Sequence, residues 1–228
     1  MRIEPLGDRA VQIVLGDAPD EPTRRRVAAA SRRLAEARLP GIIECVPGFT
    51  SLTIHYDPVQ LPLSDSGWLG SSLTDLLEAL DDSAGDDGRL LEIPVCYGGE
   101  LGPDLESVAS LHGLTADEAI ELHAAGDYRV HLIGFVPGFP YLGGLDPKLA
   151  TPRRESPRTV VPAGSVGIGG AQTGIYPVES PGGWQLIGRT PLRLFDAHRD
   201  PPALLRAGDR VRFVPVDADA FRRLEHGS

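Results

Sequence analysis

The sequence has only two cysteines, one methionine and two tryptophans in 228 residues, and aromatic residues make up 6% of it. Cys45 and Cys96 lie far apart without a CxxC partner, which excludes a disulfide framework and a thioredoxin-like redox pair. Both are expected to be small core residues of a cytoplasmic protein. The opening MRIEPLGDRAVQIVLG lacks a signal-peptide pattern, and no stretch approaches the roughly 18 apolar residues of a membrane span. No GxxxxGKS/T run exists, so no P-loop is expected. The six histidines (His55, His112, His123, His131, His198, His226) form neither HExxH nor a close pairing with cysteine, so no metal site is expected. AGSVG around Ser165 has Ala163 where a nucleophile elbow needs its first glycine.

Positive charge is also scarce. The net charge is −10, which argues against nucleic acid and anionic membranes as partners. The deficit is uneven. Between Gly134 and Thr190, Lys148, Arg153, Arg154, Arg158 and Arg189 stand against Asp146, Glu155 and Glu179, leaving that window at +2 and the remainder at −12. A locally basic segment in an acidic chain suits a small anionic ligand.

What is present divides at about residue 88. Residues 1–88 read as a small α+β domain. A strand at 10–15 precedes a helix carrying Val27 and Leu34, which Pro40-Gly41 stops. Segments 42–46 and 51–56 flank PGFT as a hairpin. Leu69, Leu73, Leu76, Leu77 and Leu80 share a helical face, with Asp65 or Ser66 as its N-cap. DDSAGDDG is a turn or linker, and RLLEIPV completes a ferredoxin-like βαββαβ order. In residues 89–228 a helix is expected near Asp104, and another at Thr115, where Thr115 and Glu118 fit a capping box. YRVHLIGF reads as a strand. The following 57 residues, 134–190, hold twelve glycines and eight prolines among recurring apolar residues. That pattern fits the short strands and tight turns of a β-barrel, closed by 209–217.

Chemistry-bearing residues sit on this glycine-rich backbone. GSVGIGGAQTG has a glutamine at the third position of a GxGxxG reading and follows VPA, so it is a poor dinucleotide fingerprint. His131 falls mid-strand on the face of Arg129 and Ile133; it is either an acid/base and ligand donor or a satisfied wall residue. Gln172 and Thr173, between Gly170 and Gly174, offer an amide and a hydroxyl where backbone approaches a ligand closely. Arg158 and Arg189 are each either a carboxylate or phosphate clamp or a surface arginine. The aromatics of GFVPGFPYLGG are read as core before ligand platform, and SPGGW as a corner that seats Trp184.

The run from YRVHLIGFVPGFPYLGG through VVPAGSVGIGGAQTGIYPVESPGGWQLIGRTP resembles the allophanate hydrolase subunit 1 family. That family is also known as KipI or as the B subunit of the bacterial 5-oxoprolinase. YGGELGPDLESVASLHGLTADEAIELH upstream is similar to it as well, as are LGDRA and PGFTSLTIHYDP. The resemblance implies a cyclophilin-like barrel after the α+β domain, and a partner, the KipA-like C subunit. With the A subunit of 5-oxoprolinase, such complexes open the lactam of 5-oxo-L-proline to L-glutamate using ATP with Mg. Related domains form the carboxyltransferase part of urea carboxylase, and other members inhibit a sensor histidine kinase. No biotin-attachment motif is present, and the chain alone is expected to be inactive. In this setting His131, Gln172 and Thr173 are the catalytic candidates. Arg158, Gly167, Gly169, Gly170, Tyr176 and Arg189 are the substrate or ATP contacts. The family's usual Ala-Gly-Asn-Gln-Thr reads Gly169-Gly170-Ala171-Gln172-Thr173 here, which removes one polar group.

Overall fold

Asp20 determines where the first helix begins: its carboxylate accepts the Thr23 amide at 2.9 Å, and a proline occupies the first turn. A computed structural model describes residues 1–18, 20–61, 68–78 and 88–226, and the chain divides into two units, Met1–Asp86 and Asp87–Ser228. In the first unit the elements are β1 (Arg2–Pro5), β2 (Ala10–Val14), α1 (Glu21–Ala37), β3 (Ile42–Pro47), β4 (Ser51–Tyr56) and α2 (Trp68–Glu78). The strands form an antiparallel sheet in the order β1-β2-β4-β3. Val27, Ala30 and Leu34 of α1, with Leu73 and Leu77 of α2, pack on Ile13, Leu52 and Ile54 of the sheet. The helix and the hairpin follow the expected periodicities. The N-cap expected at Asp65 or Ser66, Leu80 and most of the DDSAGDDG linker lie outside the described residues.

The expected βαββαβ order is corrected. Within the described residues the first unit runs ββαββα, and the strand meant to complete it, β5 (Leu90–Tyr97), belongs to the second unit. There β5 lies antiparallel to β12 (Gln185–Arg189) and parallel to β13 (Arg210–Pro215), with Ile93 and Val95 in that unit's core. An alternating apolar strand fits any half-buried sheet; its pairing partner, which local sequence does not specify, decides where it goes.

The second unit continues with α3 (Leu105–Leu111), α4 (Ala116–Ala124), β6 (Tyr128–Ile133), β7 (Pro140–Gly143), β8 (Arg158–Val161), β9 (Ser165–Gly169), β10 (Gln172–Ile175) and β11 (Ser180–Gly182). After β12 and β13 it ends in α5 (Ala218–His226). Seven strands close into a barrel in the order β10-β7-β6-β13-β5-β12-β9, with β9 pairing back onto β10. Closure leaves the barrel no unpaired edge. Tyr128, Val130, Leu142, Val166, Ile168, Ile175, Ile187 and Phe213 fill the interior. β8 and β11 form a separate two-stranded ribbon.

Thr115 and Glu118 make the expected capping box at α4. Asp104 precedes α3 but does not cap it; its carboxylate is used elsewhere. No helix among the described residues is long and apolar enough to cross a membrane.

Candidate functional site

Along β9 and β10, Val166, Ile168 and Ile175 point into the barrel, so the alternating Gly167, Gly169 and Gly174 face out. Trp184 occupies the space their missing side chains leave. A methyl group on Gly169 would stand 2.5 Å from Trp184 Cε2, and one on Gly174 3.0 Å from Trp184 Cζ3. Phe139 meets Trp184 edge-on at 5.4 Å, and it also contacts Tyr141 at 4.9 Å and Tyr176 at 5.2 Å. These rings, with Val161 and Leu186, form an apolar layer on the outside of the barrel. Such edge-to-face pairs add about 0.5–1.5 kcal/mol each beyond area burial.

Against this layer lies a cavity of about 310 Å³, lined by Phe139, Tyr141, Tyr176 and Trp184, with Phe135, Arg153 and Arg154 also on its wall. Phe135 is 61% exposed and holds a left-handed backbone at φ 70°, a conformation that is strained for a bulky residue. The Arg153 guanidinium sits 6.0 Å above the Trp184 ring, within cation–π range. The lining carries two arginines and no carboxylate.

A buried carboxylate organises the nearby cations. Asp104 Oδ1 accepts from Arg158 at 2.8 Å and Arg154 at 3.2 Å, while Oδ2 accepts the Leu186 amide at 2.7 Å. One acid thus serves two guanidiniums, and the second terminal nitrogen of Arg158 is buried with no partner among the described residues. Burial pushes the Tyr176 phenol up, opposed by the Trp184 amide and by the Arg153 and Arg158 charges.

The structure brings some of the sequence-selected residues together and separates others. His131 sits at a β-bulge in β6, half-buried, and a methyl group on Gly143 would overlap its ring. β10 pairs β7 with Thr173 opposite Leu142 and Gly174 opposite Tyr141. Continued one residue, this register sets Gln172 opposite Gly143. The His131 ring lies over Gly143, whose paired residue on β6 is Arg129, and Gln172 falls on the same outer face of β10 as Gly174, which underlies the cavity.

Thr173 faces the opposite way and is fully buried. Its hydroxyl donates to the Gly167 carbonyl at 3.0 Å and accepts from His123 Nε2 at 3.0 Å. His123 Nδ1 in turn accepts from the Tyr97 hydroxyl at 2.8 Å. Each member of this chain is satisfied, and burial pulls the His123 pKa down to about 3, keeping the ring neutral. Gly167 and Gly169, expected to cradle a ligand, lie beneath Trp184, which fills that approach. Gly170, at φ 66°, follows β9 and bridges to Thr151 with open space where a side chain would be.

The family described as "Carboxyltransferase domain, subdomain C and D" matches residues 1–205. The chain belongs to that family. It is 50% identical over 234 residues to the B subunit of 5-oxoprolinase from Bacillus subtilis, covering 100% of this chain and 98% of that protein. The protein of the same name from Escherichia coli O157:H7 is 46% identical, covering 92% of this chain and 94% of that one. Among solved structures, the crystal structure of TTHA0988 superposes with a TM-score of 0.79 at 40% identity over 92% of this chain. This chain spans only 40% of the length of that solved protein.

In this member of the carboxyltransferase subdomain C and D family, Arg189 lies apart from the aromatic cavity. Its Nε donates to the Ala163 carbonyl at 2.8 Å, and it lines a second cavity of about 370 Å³ with Glu179, Thr190, Arg193 and Glu225. Tyr176 lines the aromatic cavity, and Arg158 is joined to it through Asp104 and Arg154. Sequence reasoning passed over Phe135, Tyr141, Arg153, Arg154 and Trp184 as site residues. A signal was available: Gly167, Gly169 and Gly174 leave bare, on one face of a strand pair, a surface that only a large ring fills.

Proposed function

We propose that the chain is the B subunit of an ATP-dependent 5-oxoprolinase, working in the cytoplasm with a KipA-like C subunit and with the A subunit. The complex adds water across the lactam C–N bond of 5-oxo-L-proline, hydroxyl to carbon and proton to nitrogen, and releases L-glutamate. The observation that carries this reading is the His131 ring over Gly143, with Gln172 on the same outer face, next to an aromatic cavity bordered by arginine. Full-length relatives at 46–50% identity, each named as the B subunit of 5-oxoprolinase, support it.

A lactam is a resonance-stabilised amide, so its oxygen must be polarised before the carbonyl carbon yields to attack. The His131 ring and the Gln172 carboxamide offer donors on a β-sheet face, held by backbone pairing so that little reorganisation is needed. The proposed barrel is of the cyclophilin-like kind. ATP and Mg act in the complex, but the residues here do not fit a nucleotide phosphate. Trp184 covers Gly167 and Gly169, and no cluster of three metal-ligating side chains occurs among the described residues. Nucleotide handling is therefore assigned to the partners.

The reconstituted complex tests this. His131→Ala and Gln172→Ala complexes are expected to lose ATP-dependent glutamate release from 5-oxoproline by roughly 100-fold or more, the size of a lost oxyanion donor. Unchanged turnover in folded complexes overturns the assignment. The family's carboxyltransferase description favours a second reading, the carboxyltransferase half of a urea-carboxylase-type enzyme. Carboxylation of urea without glutamate release by the same complex would select it.

A further inference from the structure

We propose that the aromatic cavity reads a carboxylate-bearing five-membered ring, with Arg153 as the carboxylate anchor and Trp184 as the platform for the ring. The inference rests on the 5-oxoprolinase reading and names where this chain holds that substrate. Of the three guanidiniums near the cavity, Arg154 and Arg158 are committed to Asp104. The exposed Arg153 guanidinium lies 6.0 Å from the Trp184 ring centroid and has no carboxylate partner among the described residues. The lining has no acid to neutralise it. In a chain of net charge −10, an uncompensated cation above an aromatic wall marks a place that an anion would occupy.

Size and charge decide which anion. The cavity, at about 310 Å³, sits at the bottom of the roughly 300–1,000 Å³ range of small-molecule sites. Its wall is mainly ring surface: Phe139, Tyr141, Tyr176 and Trp184. A polyphosphate carries several charges and calls for several donors, whereas one free guanidinium on an apolar wall matches a single carboxylate on a compact, weakly polar body. The lactam ring of 5-oxoproline has that form, and its carbonyl would then reach toward His131 and Gln172 on the same outer face.

The test uses the reconstituted complex with Arg153→Gln, Arg153→Lys and wild type. Arg153→Gln is expected to raise the KM for 5-oxoproline roughly ten- to hundredfold, the scale of a lost charged hydrogen bond, with kcat little changed. Arg153→Lys is expected to recover part of it, since the charge remains and the fork is lost. Wild type should favour 5-oxoproline over 2-pyrrolidone, which lacks the carboxylate, and Arg153→Gln should erase that preference. An unchanged KM and preference in a folded Arg153→Gln complex overturns the anchor and leaves the oxoprolinase reading standing. If wild type shows no turnover, that reading fails, and calorimetry with cyclopentanecarboxylate decides the site. Binding that Arg153→Gln abolishes supports a carboxylated-ring site, and no binding to wild type overturns it.

Discussion

Inside the barrel, Tyr97, His123 and Thr173 use up one another's hydrogen-bonding capacity and end on the Gly167 carbonyl. On the outer side of the barrel, beside an apolar cavity, Arg153 has no acid partner among the described residues, and a nitrogen of Arg158 has no partner of any kind among them. Both regions contain polar groups next to aromatic rings, yet only the outer one is unfinished. Closed networks stabilise a fold, because an unmade buried hydrogen bond costs more than a made one gains. Open valences beside a cavity are available to something the chain does not itself contain.

The hinge of this comparison is Asp104, which ties the outer arginines to the β12 backbone. Asp104→Ala leaves two guanidiniums uncompensated next to a buried amide and is expected to cost about 3–5 kcal/mol. Urea denaturation measures it, and a loss below about 1 kcal/mol would show that the arginines relax into solvent.

The interior answers to pH. His123 is held neutral in the fold at a pKa of about 3, against an ordinary value of 6.5. A depressed imidazole leaves stability whole above pH 6.5 and removes it as pH falls toward 3, because only the unfolded chain takes up the proton. The expected slope is about 1.4 kcal/mol per pH unit in that window. His123→Gln keeps a donor and an acceptor but does not titrate, so its stability curve between about pH 6 and 4 should be flatter by one proton. Equal slopes would mean that the ring is protonated in the fold.

The smallest effect separates the two regions most directly. Thr173→Val deletes the interior hydroxyl at nearly constant volume and should cost about 1–3 kcal/mol of stability. The KM for 5-oxoproline should stay unchanged in the complex. A raised KM with normal stability would move Thr173 from the scaffold to the site.

Much of this was legible in the residues. The Val27–Leu34 helix, the hairpin around PGFT, the Thr115–Glu118 capping box and the glycine-rich strands of a barrel all declare themselves through local spacing. The site was half legible. His131 and Gln172 stood out as polar groups on constrained backbone, but Thr173, next to Gln172, points to the opposite face, because successive strand residues alternate. Trp184 looked like a corner residue because the surface it covers comes from Gly167, Gly169 and Gly174, ten or more positions upstream.

The sequence alone determined the family, the local elements and the glycine-rich block that carries the candidate site, since these depend on composition and on neighbours a few positions apart. Tertiary structure decided what no local pattern encodes. Pairing moved Leu90–Tyr97 into the barrel, and closure of β9 on β10 turned Thr173 inward. The same packing brought Trp184 onto three glycines, and Asp104 took up Arg154 and Arg158 across some fifty residues of chain, while Arg153 has no acid partner among the described residues. Register and burial are properties of partners distant in sequence, and they determine which polar groups end up satisfied and which remain open to a ligand.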